Sequence, residues 1–235
     1  MKVKVILTVI LSLAIGFPIL GGELQTGKLK WTGSTELLKV TKDKARNGFH
    51  SLLFDTTVDK NPTSRMVSAF IGNEMKGILE GWLLDDPSIQ PVWITFGSEM
   101  RWCIGVQFGN QANYTLRVGG VNREFTQVPR IKGWVGFRLE FTGRSVKYYL
   151  SIDNGKSWQE VGESNEHKGM FNSVHLRNNE NTGRSRMAAY FDDIRVMDAD
   201  GNTVLYEGFG GDADPLSVSP AYKLATVWGR IKASR

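Results

Sequence analysis

The residues best suited to chemistry in this chain are two tryptophans and a set of amide and guanidinium side chains. In the run 92–96, Val92, Ile94 and Phe96 alternate with Trp93, and in 134–141 Trp134 stands opposite Val135, Phe137, Leu139 and Phe141. A period of two puts each tryptophan on the face away from the apolar one. Asn110, Asn113, Arg117, Arg177, Asn178 and Asn179 fall near the ends of neighbouring extended runs. A sugar ring has apolar C–H faces and hydroxyl edges, so it is held by an exposed aromatic beside amide and guanidinium groups. The expected ligand-binding set is therefore Trp93, Trp134, Asn110, Asn113, Arg117, Arg177 and Asn178. The competing expectation is that each ring lies under a loop or under the C-terminal tail.

Catalytic chemistry has less to draw on. A retaining glycoside hydrolase needs two carboxylates about 5–5.5 Å apart, and Glu80 and Glu140 are isolated acids expected on the solvent face of extended runs. His50, His167 and His175 have no zinc-ligand spacing, and there is no serine-nucleophile elbow, phosphate loop or dinucleotide fingerprint. Cys103 lies in an alternating run and is expected to be a small packed residue. No catalytic residue is expected. Asp192 and Asp193 pose a different question. On strict alternation Asp192 shares its face with Ile194 and Val196. An inward carboxylate is costly unless it is paired or coordinates a cation. Loop amides, Arg186 or Arg195 are the alternative partners.

The elements that must position these residues are extended. In 134–161, the alternation at Val135–Phe141 resumes at Val146, Tyr148, Leu150 and Ile152 after Thr142-Gly143-Arg144-Ser145. Two such runs around a glycine-containing turn predict an antiparallel hairpin with one buried face. Further strands are expected at 37–41 and 51–57 around Asn47-Gly48, as a pair at 65–72 and 76–84, and at 92–96, 101–108, 114–118, 173–177, 187–197 and 203–209. Residues 23–35 read as polar and glycine-containing, with Trp31 the one large apolar anchor. Short strands at this spacing, without an internal repeat, predict an all-β sandwich and not a propeller or solenoid.

Three segments carry a family resemblance. The run 45–52, ARNGFHSL, resembles an early hairpin of carbohydrate-binding jelly rolls. The run 151–158, SIDNGKSW, matches the Asp-box pattern of sialidases and many secreted β domains. The run 190–196, YFDDIRV, with 133–141, GWVGFRLEF, resembles concanavalin A-like and laminin-G-like sandwiches. Over about residues 30–209 the chain thus resembles the concanavalin A-like lectin and glucanase superfamily, which implies an antiparallel two-sheet jelly-roll sandwich. The resemblance also implies a structural calcium ion held by Asp192, with Glu207 and the backbone near 27–33 as partners, since oxygen-only ligation suits calcium. A single Asp-box implies a structural clasp around Asp153 and not a sialidase site. The E-x-D-x-E strand of laminarinase-type relatives does not occur.

Composition bounds the setting. The chain has 235 residues, 41% of them hydrophobic, and 26 glycines, which suffices for one sizeable core. Lys2 and Lys4 precede an apolar run from Val5 to Ile15, so residues 1–22 are expected to be a secretory signal peptide, leaving no stable membrane span after its removal. The sandwich is expected at 23–209, a linker at 210–220 and a basic tail at 221–235. Residues 1–22 and 216–235 hold six lysines and arginines and no acids, so the formal charge of +5 leaves a body of −1. That argues against nucleic acid as a partner. One cysteine excludes an internal disulfide. The leading expectation is a secreted or surface-displayed, non-catalytic sandwich that binds glycan or polysaccharide. A polysaccharide hydrolase or lyase on the same fold, and a structural or adhesive surface protein, are the alternatives.

Overall fold

The computed structural model describes residues 22–59, 65–74, 76–88, 93–99, 101–106, 112–118, 122–165, 171–179 and 187–210. In chain order the strands are β1 (Gly22–Thr26), β2 (Leu29–Gly33), β3 (Leu38–Thr41), β4 (Ser51–Asp55), β5 (Met66–Glu74), β6 (Gly77–Asp85), β7 (Trp93–Ser98) and β8 (Trp102–Val106). They continue with β9 (Asn113–Val118), β10 (Asn122–Pro129), β11 (Gly133–Phe141), β12 (Val146–Ser151), β13 (Gln159–Ser164), β14 (Phe171–Asn179), β15 (Ala188–Met197) and β16 (Thr203–Glu207). They form two antiparallel sheets, a jelly-roll sandwich. The first runs β1-β2-β5-β14-β7-β8-β9-β10 and the second β13-β12-β11-β6-β15-β4-β3, with β16 paired to β15.

The alternating residues of the two sheets meet in the middle. Val135, Phe137, Leu139 and Phe141 of β11 are buried, as are Val146, Tyr148 and Leu150 of β12, and β11 pairs β12 from Gly136↔Ser151 to Phe141↔Val146. Phe141 stacks on Phe171 of the other sheet at 4.3 Å, and Phe137 meets Phe96 at 6.5 Å and Tyr114 at 5.9 Å. Each such ring withdrawn from water contributes about 1.5–3 kcal/mol. Gly81 on β6 makes room for Phe96, since a Cβ there would fall 2.4 Å from its ring.

Three expectations need correction. The polar stretch 23–35, for which no strand is expected, contains the hairpin β1–β2, which turns at Gly27 (φ 54) and is anchored by the fully buried Trp31, whose Nε1 donates to Thr26 Oγ1 at 2.7 Å. The runs around residues 72–74 do not pair with each other. β5 pairs with β2 and β14, whereas β6 pairs with β11 and β15 in the opposite sheet. β10 and β13, not anticipated as strands, occupy one end of each sheet. Edge strands need only one paired side, which is why β10 tolerates Pro129 at its end.

Candidate functional site

The outer face of the first sheet gathers several of the expected residues. In β7, Ile94 and Phe96 are core residues, so Trp93, Thr95 and Gly97 look outward. The register carries that face across the sheet: His175↔Gly97↔Cys103↔Arg117 forms one row and Arg177↔Thr95↔Gly105↔Thr115 the next. Trp93 lies one row further, paired in the backbone with Asn179.

Two glycines make the floor of this face. A Cβ at Gly97 would lie 2.0 Å from the carbonyl oxygen of Trp102, and one at Gly105 would lie 2.1 Å from that of Ile94. Only glycine lets β7 and β8 approach so closely. The guanidinium of Arg177 lies 4.0 Å from the centre of the Trp93 ring, and that of Arg117 lies 5.5 Å from it. Two cations from β14 and β9, separated by two strands, thus converge on one indole, whose electron-rich face attracts them. Trp93 itself is half-buried.

The groups between them are buried and polar. His175 is 8% exposed and its Nε2 has no hydrogen-bond partner, and Thr115 Oγ1 also has none. Burial pushes the His175 imidazole down to about 4, helped by the charges of Arg177 and Arg117, so it is neutral at pH 7. Burial pushes the Cys103 thiol up to about 12, and its Sγ–H donates to the Glu99 carbonyl at 3.1 Å. Cys103 is therefore a packed thiol and not a nucleophile. Together these groups offer charged donors, an indole, and a buried nitrogen and hydroxyl that lack partners. His175 Nε2 and Thr115 Oγ1 lie closed to solvent beneath this face, whereas Trp93 and Arg117 are half-buried and partly accessible.

The remaining expected residues are placed as follows. Asn113 shares the parity of Arg117, is half-buried, and its Nδ2 donates to the Thr126 carbonyl at 2.8 Å. Asn110 lies outside the described residues. Asn178 is a correction: it is fully buried on the core side of β14 with Val174 and Leu176, and its Nδ2 donates to the carbonyls of Phe54 (2.6 Å) and Met187 (2.9 Å). It ties the sheets together and faces no ligand. Trp134 is half-buried on the outer face of the second sheet, paired with Leu84, and so stands apart from Trp93. Sequence reasoning missed His175, although its alternation with Val174 and Leu176 already put it beside Arg177. Glu80 has the outward parity expected of it, with Trp82, but is covered on that face. It is 4% exposed and accepts from Arg138 Nε at 2.6 Å.

The carboxylates expected to hold calcium are placed differently from the expectation. A bulge between Asp192 and Arg195, with Asp193 at φ 47, reverses the alternation of β15. Asp192 therefore pairs with outward Trp82, not with the face of Ile194 and Val196. Its Oδ2 accepts from the Arg46 amide at 2.7 Å and its Oδ1 from the Asp193 amide at 2.8 Å. Glu207 accepts amides from Lys28 (2.6 Å), Leu29 (3.2 Å) and Phe209 (2.7 Å), clasping the β1–β2 turn. The donors turned toward both carboxylates are N–H groups, whereas a calcium shell is built of oxygens. Among the described residues, no group of three or more His, Cys, Asp or Glu side chains could hold a metal ion. The residues present do not fit the ion that the resemblance implied.

No family model and no curated protein matches the chain. Several solved structures are similar to it. A functionally unknown protein from Saccharomyces cerevisiae matches at 8% identity and TM-score 0.46, over 69% of this chain and 97% of its own. Domain 4 of AbnA, a GH43 extracellular arabinanase from Geobacillus stearothermophilus, solved with arabinotriose, matches at 14% identity and TM-score 0.38, over 73% of this chain and 75% of its own. The alginate lyase from Klebsiella pneumoniae matches at 11% identity and TM-score 0.38, over 68% of this chain and 84% of its own. Among the described residues, no helix is long and apolar enough to cross a membrane.

Proposed function

We propose that this chain is an extracytoplasmic, non-catalytic carbohydrate-binding sandwich, and that its Trp93 face takes an acidic polysaccharide. The observation that carries the reading is the convergence of Arg117 and Arg177 on the Trp93 ring, beside the buried, partnerless Nε2 of His175. Guanidinium groups recognise carboxylates by paired, charge-assisted hydrogen bonds. The lysine-flanked apolar run at the N-terminus supports a secreted setting. The described side chains sharing this face on β7, β8, β9 and β14 include no carboxylate, which supports binding over glycoside hydrolysis.

The test is affinity electrophoresis through gels containing pectate, alginate or hyaluronate, with neutral polysaccharides as controls. Retardation by an acidic polysaccharide is expected, with affinity reduced about tenfold or more in Trp93→Ala and Arg177→Gln. Equal mobility of the variants and the native chain would overturn the assignment of the face. Release of unsaturated oligosaccharide ends would move the function to a lyase.

A further inference from the structure

At its β1–β2–β5 end, the outer face of the first sheet holds a groove of about 440 Å³, within the range of small-molecule sites. Val67, Ala69 and Ile71 of β5 are core residues, so Ser68 and Phe70 point outward, and Phe70 is 66% exposed. Lys28, Lys30 and Thr32 of the β1–β2 hairpin, with Ser173 of β14, complete the walls. The Lys30 ammonium and the Glu23 carboxylate meet there at 2.7 Å, with side chains 58% and 62% exposed. So exposed a pair stabilises the fold little. It offers a donor and an acceptor within the groove that Phe70 walls.

A single exposed ring is ordinary on a protein surface. Its place in the sheet sets Phe70 apart. Register joins the groove to the Trp93 face, because Thr32↔Ser68↔His175↔Gly97↔Cys103↔Arg117 is one row running from β2 to β9. Phe70 pairs with Ser173 and Trp93 with Asn179, so both rings are placed by the one strand β14, on its two sides. From Ser173 to Asn179 the strand advances roughly 20 Å, and two strand spacings of about 4.8 Å lie across it. Ser68 and Arg177 stand between the rings in register. The rings are too far apart for one sugar unit and lie within reach of one extended oligosaccharide.

We propose that Phe70 is a second platform for the same acidic polysaccharide, an inference that rests on the Trp93 face being the first. One sugar unit lays its apolar C–H face on the Phe70 ring. Its hydroxyls bond those of Ser68 and Ser173, and a carboxylate of the chain meets the Lys28 ammonium. Two platforms on one rigid sheet gain affinity by linkage, since the second is filled intramolecularly once the first is occupied. A short oligosaccharide reaches only one of them.

The test is isothermal titration calorimetry of the full chain with oligosaccharides of pectate, alginate and hyaluronate, each as a disaccharide and a decasaccharide. For the polysaccharide that binds, the decasaccharide should bind about tenfold or more tighter than the disaccharide. Phe70→Ala, checked for an unchanged fold by circular dichroism, should remove most of that gain, and Phe70→Tyr should keep it. Trp93→Ala should weaken both lengths. A length gain that survives Phe70→Ala would overturn the second platform and leave the Trp93 face standing. Self-association of the native chain that Phe70→Ala abolishes, with no gain from length, would make the ring an interface between copies and overturn it too. Failure of every oligosaccharide to bind, or native affinity in Trp93→Ala, would overturn the Trp93 face and this platform with it.

Discussion

His175 and Asp192 are buried titratable groups whose pKa values are displaced so that their effects on stability oppose each other. His175 is held down at about 4 against an ordinary 6.5, so on acidification the unfolded chain takes the proton first. Its contribution is full above about pH 6.5 and is lost as pH falls toward 4. Asp192 is held up at about 7 against 3.8, mainly by burial and further by Asp193. Here the folded chain keeps the proton longer, so its contribution is full below about pH 4 and is lost as pH rises to 7. Burial pushes Glu207 in the same direction as Asp192. Stability of the native chain, read from urea midpoints, should thus change less between about pH 7 and pH 4 than in a variant lacking either group, because opposing swings of roughly 3 kcal/mol for His175 and roughly 4 kcal/mol for Asp192 offset each other in part. In His175→Gln stability should rise on acidification, and in Asp192→Asn it should fall more steeply than in the native chain. A His175→Gln profile parallel to the native one would contradict the burial argument. At this scale the sequence was legible wherever parity held. Trp93 is expected outward with Arg117 and Arg177 as polar partners near strand ends, and the three share a face, whereas Asn178 is excluded by its even spacing from Val174 and Leu176.

Among the elements, the hairpin β11–β12 was readable because seven alternating residues all enter one core. The bulge in β15 was not readable, since Asp193 adopts a positive φ that the sequence Asp-Asp permits but does not announce. One inserted residue changed the face of Asp192, and with it the calcium expectation. The hairpin β1–β2 is hard to read because its only fully buried apolar side chains among the described residues are Trp31 and Leu29, and the Glu207 clasp that holds its turn comes from about 180 residues away. Glycines separate the outer faces of the two sheets in a testable way. Gly105→Ala puts a methyl 2.1 Å from the main chain of β7 and should cost about 1–3 kcal/mol or more. Gly136→Ala meets only side-chain ring atoms at 2.8–2.9 Å. It should cost less, and it should perturb the indole N–H NMR signals of Trp82 and Trp158 while leaving that of Trp93 in place. Equal destabilisation by both, read from urea midpoints, would contradict the contacts drawn at β7–β8.

Across the whole molecule, the sandwich is held by its apolar middle and by one deeply buried ion pair. Asp85 and Arg130 meet at 2.9 and 2.5 Å with side chains 2% and 1% exposed, and Tyr114 donates to the same carboxylate at 3.1 Å. Removing one partner strands the other charge, so Arg130→Met should destabilise by about 3–5 kcal/mol, whereas the double change with Asp85→Leu should recover much of that. The N–H groups that already fill Asp192 and Glu207 predict that a chelator leaves the melting temperature unchanged, and a clear fall would restore an ion at Asp192 or Glu207. Each sheet carries a tryptophan and arginine cluster on the side away from the core, Trp93 with Arg117 and Arg177 on the first and Trp82 and Trp158 with Arg46 and Arg138 on the second, and the first carries the central claim. The most direct measurement is a crystal structure of the chain grown with a uronate hexasaccharide. The account predicts the sugar chain against Trp93, with a carboxylate on Arg117 or Arg177. An oligosaccharide bound elsewhere, with the Trp93 face bare, would contradict it.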